Sequence, residues 1–80
     1  MESHTDLLAD DEYPARYRLF LSRLREARVR AGLTQVEVAS RLGKPQSFVS
    51  KCESGERRVD FVELLAFAEV YVVDVGFFKP

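Results

Sequence analysis

The stretch TQVEVASRLGKPQSFVSKCESG, residues 34–55, packs two helix starts and two helix stops into about twenty residues. Thr34 followed three residues later by Glu37 is a capping-box pattern. The Thr hydroxyl can accept the Glu37 N–H while the Glu carboxylate reaches back to the Thr34 N–H, and Leu33 and Val38 stand where a hydrophobic staple would clamp the entry. The helix so begun runs from Gln35 to Leu42 and stops at Gly43. Lys44-Pro45 then opens a second helix, with Pro45 expected at its first position, running to about Glu53 and closed by Ser54-Gly55. Two short helices joined by a tight glycine-containing turn make a helix-turn-helix.

Working upstream, Gly32 ends a longer helix that starts near Pro14. Over residues 15–31, Leu21, Leu24 and Ala27, flanked by Tyr17, Phe20 and Ala31, recur at three- and four-residue steps, with arginines over the remaining surface. Residues 1–13 are acidic and aperiodic and read as a flexible tail, with at most a turn at Leu7-Leu8; residues 14–80 form the domain. Downstream, Asp60 and Glu63 repeat the capping box, with Val59 and Leu64 as staple. The helix there is expected to reach about Val70 and to bury Leu64, Leu65 and Ala68. Tyr71-Val72-Val73 has strand-like composition but no strand to pair with, so it reads as a connection into a final turn, Val75–Phe78, capped by Asp74.

Eighty residues allow one modest core, and a domain this small is commonly supplemented by a staple or a second subunit. Cys52 is the single cysteine, which excludes an intramolecular disulfide and a multi-cysteine zinc site. The acidic start is neither a secretory signal nor a transit peptide, and no apolar run approaches a membrane span. A cytoplasmic protein is expected. The formal net charge of −1 conceals an asymmetry: residues 16–58 carry eleven bases against four acids, while both ends are acidic. Local field matters more to a polyanion than total charge, so the middle of the chain is the candidate nucleic-acid face.

The motifs Ala31-Gly32-Leu33-Thr34-Gln35, Val38-Ala39, Leu42-Gly43, Gln46-Ser47-Phe48-Val49-Ser50-Lys51 and Glu53-Ser54-Gly55-Glu56-Arg57-Arg58 resemble the Xre/Cro/CI-type helix-turn-helix domain of phage repressors and small bacterial regulators. The resemblance extends over residues 24–78. It implies an all-α, five-helix, lambda-repressor-like domain, of bacterial or phage origin and nucleoid-associated when bound, whose second and third helices read DNA. It also implies a small Ala39 where those helices cross, Val49 in the core beneath the reading helix, and a structural ion pair between Arg28 and Glu53. Two positions depart from the pattern: Cys52 replaces a larger side chain, and Val72 stands where relatives usually have glycine.

In such a motif the reading helix presents its N-terminal residues to base edges. With Val49 and Cys52 inward, the outward set is Gln46, Ser47, Ser50 and Lys51. Gln46 suits adenine, Lys51 guanine, and the serines either a base or a phosphate. Gln35, by resemblance, together with Lys44, Arg57 and Arg41, are the expected phosphate contacts, which position the protein without reading sequence. Any of these could instead be a solvated polar residue, and the arginines of the first helix read as a soluble face. Phe48 either packs at the core edge, the favoured reading, or touches a thymine methyl. Cys52 reads as a small buried hydrophobe, with a redox-sensing thiol as the sharper alternative. His4 is alone in the tail and is no credible ligand.

Tyr71, Val73, Val75, Phe77 and Phe78 are more apolar groups than the domain can easily cover, and are expected to form a homodimer interface; the alternative is that they cap the protomer's own core. A two-fold dimer would read a near-palindromic site in the major groove of double-stranded DNA. The function expected is a sequence-specific transcriptional repressor with no cofactor, no metal and no membrane. The rivals are an antitoxin with a toxin or other protein partner, a restriction–modification controller, and an interaction module lacking DNA affinity. An enzyme is disfavoured, because no phosphate loop, paired carboxylates or nucleophile–base pattern occurs.

Overall fold

The computed structural model describes residues 6–80, and the expectations for His4 and the first five residues lie outside that range. Four α-helices occur in the order α1 (Glu12–Arg30), α2 (Gln35–Leu42), α3 (Gln46–Ser54) and α4 (Phe61–Tyr71), followed by a 3₁₀ turn, Val75–Phe78. The described residues contain no strand. The fold is thus all-α as expected, with the fifth helix reduced to a single 3₁₀ turn.

Helix α1 begins at Glu12, two residues ahead of Pro14, because the Glu12 and Tyr13 N–H groups both find the Ala9 carbonyl, at 3.0 and 2.9 Å. Pro14 then falls in the first turn, where its missing N–H costs nothing. Both capping boxes form. Thr34 Oγ1 accepts the Glu37 N–H at 3.1 Å and Glu37 accepts the Thr34 N–H at 2.8 Å. Asp60 accepts the Glu63 N–H at 2.8 Å and Glu63 accepts the Asp60 N–H at 3.0 Å. Pro45 proves to be the N-cap of α3 rather than its first helical residue, since its ψ of 155° is extended. The Asp74 carboxylate caps the 3₁₀ turn by accepting the Gly76 N–H at 2.7 Å.

Gly55, which closes α3, is required twice over. Its φ is +85°, and a Cβ there would lie 2.9 Å from Leu21 Cδ1 on α1. The end of α3 therefore lies close to α1: a side chain here would have to displace the Leu21 methyl and would be strained by the positive φ. At the end of α4 the corresponding left-handed position is occupied by Val72, with φ 55° and ψ 52°. Its N–H caps the carbonyls of Ala68 and Glu69, and the Val73 N–H bonds Ala68 O at 3.1 Å, closing a Schellman-type stop.

The core gathers Leu24 and Ala27 of α1, Val38 and Ala39 of α2, Val49 and Cys52 of α3, Phe67, Ala68 and Tyr71 of α4, and Phe78. Burying a side chain the size of Phe67 contributes about 2–3 kcal/mol. Two expectations need correction here. Leu65 faces outward, and the buried stripe of α4 runs through Phe67, Ala68 and Tyr71 instead. The sequence FVELLAFAEVY carries apolar residues on every side, so periodicity does not choose its face. Tyr71 and Phe78, expected at a dimer surface, are 5% and 2% exposed and belong to the protomer's own core. Phe78 is held there edge-on to Phe20 and Phe77, and Tyr71 stacks on Phe67. Val73, Val75 and Phe77 remain half-buried.

Candidate nucleic-acid interface

The N-termini of α2 and α3 are brought side by side, and a chain of polar groups ties them to α1. Arg28, near the end of α1, forks onto Glu53 with Nε donating at 2.6 Å and Nη2 at 3.1 Å, while Nη1 donates to the Leu33 carbonyl at 3.0 Å. Both side chains are largely covered, 13% and 5% exposed. The Glu53 hydrogen bond holds the Arg28 guanidinium still more firmly protonated than usual, against the opposing effect of burial. Glu53 also accepts from Gln35 Nε2 at 3.0 Å, and Gln35 Oε1 accepts from Gln46 Nε2 at 2.8 Å. A carboxylate in the last turn of α3 thereby fixes the first residue of α2, which in turn orients the first residue of α3.

This relay divides the expected site residues. Gln46 is exposed and, among the described residues, keeps its carbonyl oxygen and second N–H uncommitted, the donor–acceptor pair that an adenine edge requires. Gln35 has its side chain engaged within the protein on both sides, so what it offers a phosphate is chiefly the main-chain N–H at the start of α2. Ser47 and Lys51 are exposed, Ser50 is half-buried, and Val49 and Cys52 are fully buried on the opposite side of the helix. Lys44 and Arg41 are exposed, before α3 and in the last turn of α2. Burial pushes the Cys52 thiol pKa up, which favours the protonated, unreactive form and fits the small-hydrophobe reading of this residue.

Arg57 is placed differently from the expectation. Its guanidinium forks onto Glu63, both bonds at 2.8 Å, and also donates to the Arg58 carbonyl at 3.0 Å. Its Cζ lies 4.7 Å from the centroid of the Phe48 ring. Phe48 in turn stacks parallel on Phe67, with centroids 6.3 Å apart. It is therefore a packing residue with two cations beside it, since Lys44 Nζ is 5.4 Å from the same ring. The Glu63 carboxyl is held below the ordinary carboxylate range, chiefly by the Arg57 fork. Arg58 is tied to the start of α1, where its Nη1 donates to the Tyr13 hydroxyl and its guanidinium covers the Tyr13 and Tyr17 rings at 4.8 and 5.1 Å. The Tyr17 hydroxyl also accepts the Val59 N–H at 3.0 Å. Sequence reading missed this Tyr13–Tyr17–Arg58 clasp; the four-residue spacing of the tyrosines was the available signal, but nothing local joins them to a loop more than forty residues away.

None of the described helices is long and apolar enough to cross a membrane. No cluster of three His, Cys, Asp or Glu able to hold a metal occurs among the described residues.

Comparison with known proteins agrees with this geometry. Residues 19–76 match a family model described as a helix-turn-helix domain. A solved XRE-family like protein from Pseudomonas syringae pv. tomato is 44% identical and superposes with a TM-score of 0.83, covering 91% of this chain and 89% of that one. A chain of Fe(II) HppE in complex with substrate is 25% identical with a TM-score of 0.71, over 79% of this chain but only 37% of its own. The propionyl-CoA carboxylase regulator of Cereibacter sphaeroides is 41% identical over 54 residues, which is 68% of this chain and 12% of that regulator's length. The chain therefore belongs to the helix-turn-helix domain family and carries a DNA-binding, XRE-type domain of the transcription-regulator class.

Proposed function

We propose that the chain is a sequence-specific repressor that binds a near-palindromic operator as a homodimer. In this reading Gln46, Ser47, Ser50 and Lys51 contact base edges, while Lys44, Arg41 and the α2 terminus at Gln35 hold phosphates. The observation that carries it is the Arg28–Glu53–Gln35–Gln46 relay, which delivers a pre-oriented amide at the tip of α3. Side chains fixed before binding lose less conformational entropy on contact, so their discrimination is not spent on ordering. The basic middle of the chain supplies the non-specific attraction. The relative from Cereibacter sphaeroides, named as a regulator, supports the regulatory part of the proposal.

With Tyr71 and Phe78 withdrawn into the core, dimerisation falls to the half-buried Val73, Val75 and Phe77 and to the outer side of α4. Phe61, Val62 and Leu65 there, with the Val72 cap, are four of the nine large apolar residues exposed among the described residues. The same strip favours a second reading, an antitoxin holding a protein partner. Selection of bound duplexes from a random pool, with Gln46→Ala and Lys51→Ala alongside, tests the base-reading assignment. Altered base preference in the variants is expected; unchanged sequences at unchanged affinity refute it. Light scattering of the free protein and of the complex separates a dimer from a monomer that awaits a different partner.

A further inference from the structure

Phe48 occupies the first turn of α3, between Ser47, proposed to read bases, and Val49, buried beneath the helix. Its ring is half-buried and lies parallel to the Phe67 ring of the core, 6.3 Å away between centroids. Around that ring stand Lys44 at 5.4 Å and Arg57 at 4.7 Å, both within the range in which a cation is held by an aromatic quadrupole. Arg57 is further locked by its fork on Glu63 and by its own N–H, which donates to the Lys51 carbonyl at 3.1 Å. The segments carrying these two cations lie on either side of α3 in the sequence, Lys44 just before it and Arg57 just after it.

We propose that Phe48 is a positioning residue for DNA binding: its ring, itself held by Arg57, seats Lys44 beside the start of the reading helix, so that this cation is ordered before the phosphates arrive. The inference rests on reading the α2–α3 unit as the DNA-contacting surface. The physical reason is that a surface lysine normally spends several rotatable bonds on reaching a phosphate, whereas one already resting on a ring has less freedom to lose. Glu63 partly neutralises Arg57, so Lys44 is the cation with more charge to offer and Arg57 mainly fixes the ring's outer face. The role is separate from sequence reading: it acts on affinity and its salt dependence, not on base preference.

The test is duplex binding against salt concentration for the full chain, with Phe48→Leu, Phe48→Tyr and Lys44→Ala, and the double variant Phe48→Leu/Lys44→Ala. Phe48→Leu is expected to weaken binding about fivefold and to flatten the slope of log K against log salt by about 0.9, one phosphate contact. Phe48→Tyr, which keeps the ring face, restores both. Lys44→Ala is expected to cost less in the Phe48→Leu background than alone, because the two act through one contact. Thermal melts give the folded fraction of each variant. An affinity loss in Phe48→Leu that follows only the folded fraction, with the wild-type slope, overturns the proposal, as does full additivity in the double variant. Wild-type protein without salt-dependent duplex binding would instead overturn the DNA-binding reading itself, and this inference with it.

Discussion

Replacing Val72 by glycine is expected to stabilise the protein, although it removes a side chain. Val72 holds φ 55° and ψ 52° and is the one non-glycine residue at positive φ among the described residues. A residue with a Cβ loses about 1–2 kcal/mol in that conformation, and β-branching sharpens the clash. The side chain is 88% exposed in the single chain, so almost no buried apolar area is lost with it when unfolding is followed at concentrations where light scattering finds a monomer. Against the gain stands the extra freedom that glycine has in the unfolded chain, about 0.5–1 kcal/mol. The balance lies between about 0 and 1.5 kcal/mol of stabilisation, and its centre, about 0.7 kcal/mol, raises the melting temperature of a domain of this size by about 3–6 °C. Thermal and urea unfolding followed by far-ultraviolet circular dichroism measure it, with the urea m-value as the check that the unfolded state is unchanged. Val72→Asn, which tolerates the left-handed region better than valine, should fall between the two. A midpoint for Val72→Gly below wild type, with equal m, would refute the reasoning and mean that the strain at the αL position is smaller than the entropy cost of glycine.

Other expectations follow from the polar groups bonded or enclosed within the protein. Removing Arg28 alone, as Arg28→Met, leaves Glu53 covered and uncompensated and should cost about 3 kcal/mol by urea unfolding, whereas Arg28→Met/Glu53→Leu should recover a large part of that loss. The buried Tyr71 hydroxyl has no hydrogen-bond partner among the described residues, and burial raises its pKa far above the usual tyrosine range. Tyr71→Phe should therefore unfold at equal or higher denaturant, and a clear drop would reveal an unrecognised partner. Glu63 and Glu37 both have folded-state pKa values below the unfolded ones, Glu63 chiefly through Arg57 and Glu37 through its bonds to Thr34. Their stabilisation is complete above the unfolded carboxylate pKa and disappears as pH falls through the folded values, so acid titration of Glu63→Gln should show a shallower loss of stability than wild type. A titration curve parallel to wild type would show that the Arg57 fork contributes nothing to folding.

Much of this protein was legible in short-range chemistry. The capping boxes at Thr34–Glu37 and Asp60–Glu63 and the left-handed stops at Gly32, Gly43 and Gly55 each depend on residues within a few positions of one another. Local patterns are what a sequence displays directly, and so the helix order and the α2–α3 unit could be read from it. The pairing of Arg28 with Glu53, twenty-five residues apart, came from family resemblance and not from spacing; the structure has it at 2.6 Å.

Tertiary packing decided the rest. Which face of α4 is buried depends on what lies across from it, because an all-round apolar helix has no preferred side by itself; Phe67 won over Leu65 by meeting Phe48 of α3. The same packing drew Tyr71 and Phe78 out of the expected interface. Hydrogen-bond partners also have to be met in space. Arg57 looked like a loop cation open to phosphate until Glu63, six residues on, was folded back beneath it. The Gln35 side chain likewise became a link once Gln46 and Glu53 arrived on either side of it, leaving its main-chain N–H as what it can offer a phosphate. Composition and periodicity determined that there would be a helix-turn-helix with a basic centre. Which of its polar side chains are already committed within the protein, and which remain to meet a partner, was decided only when distant helices were brought together.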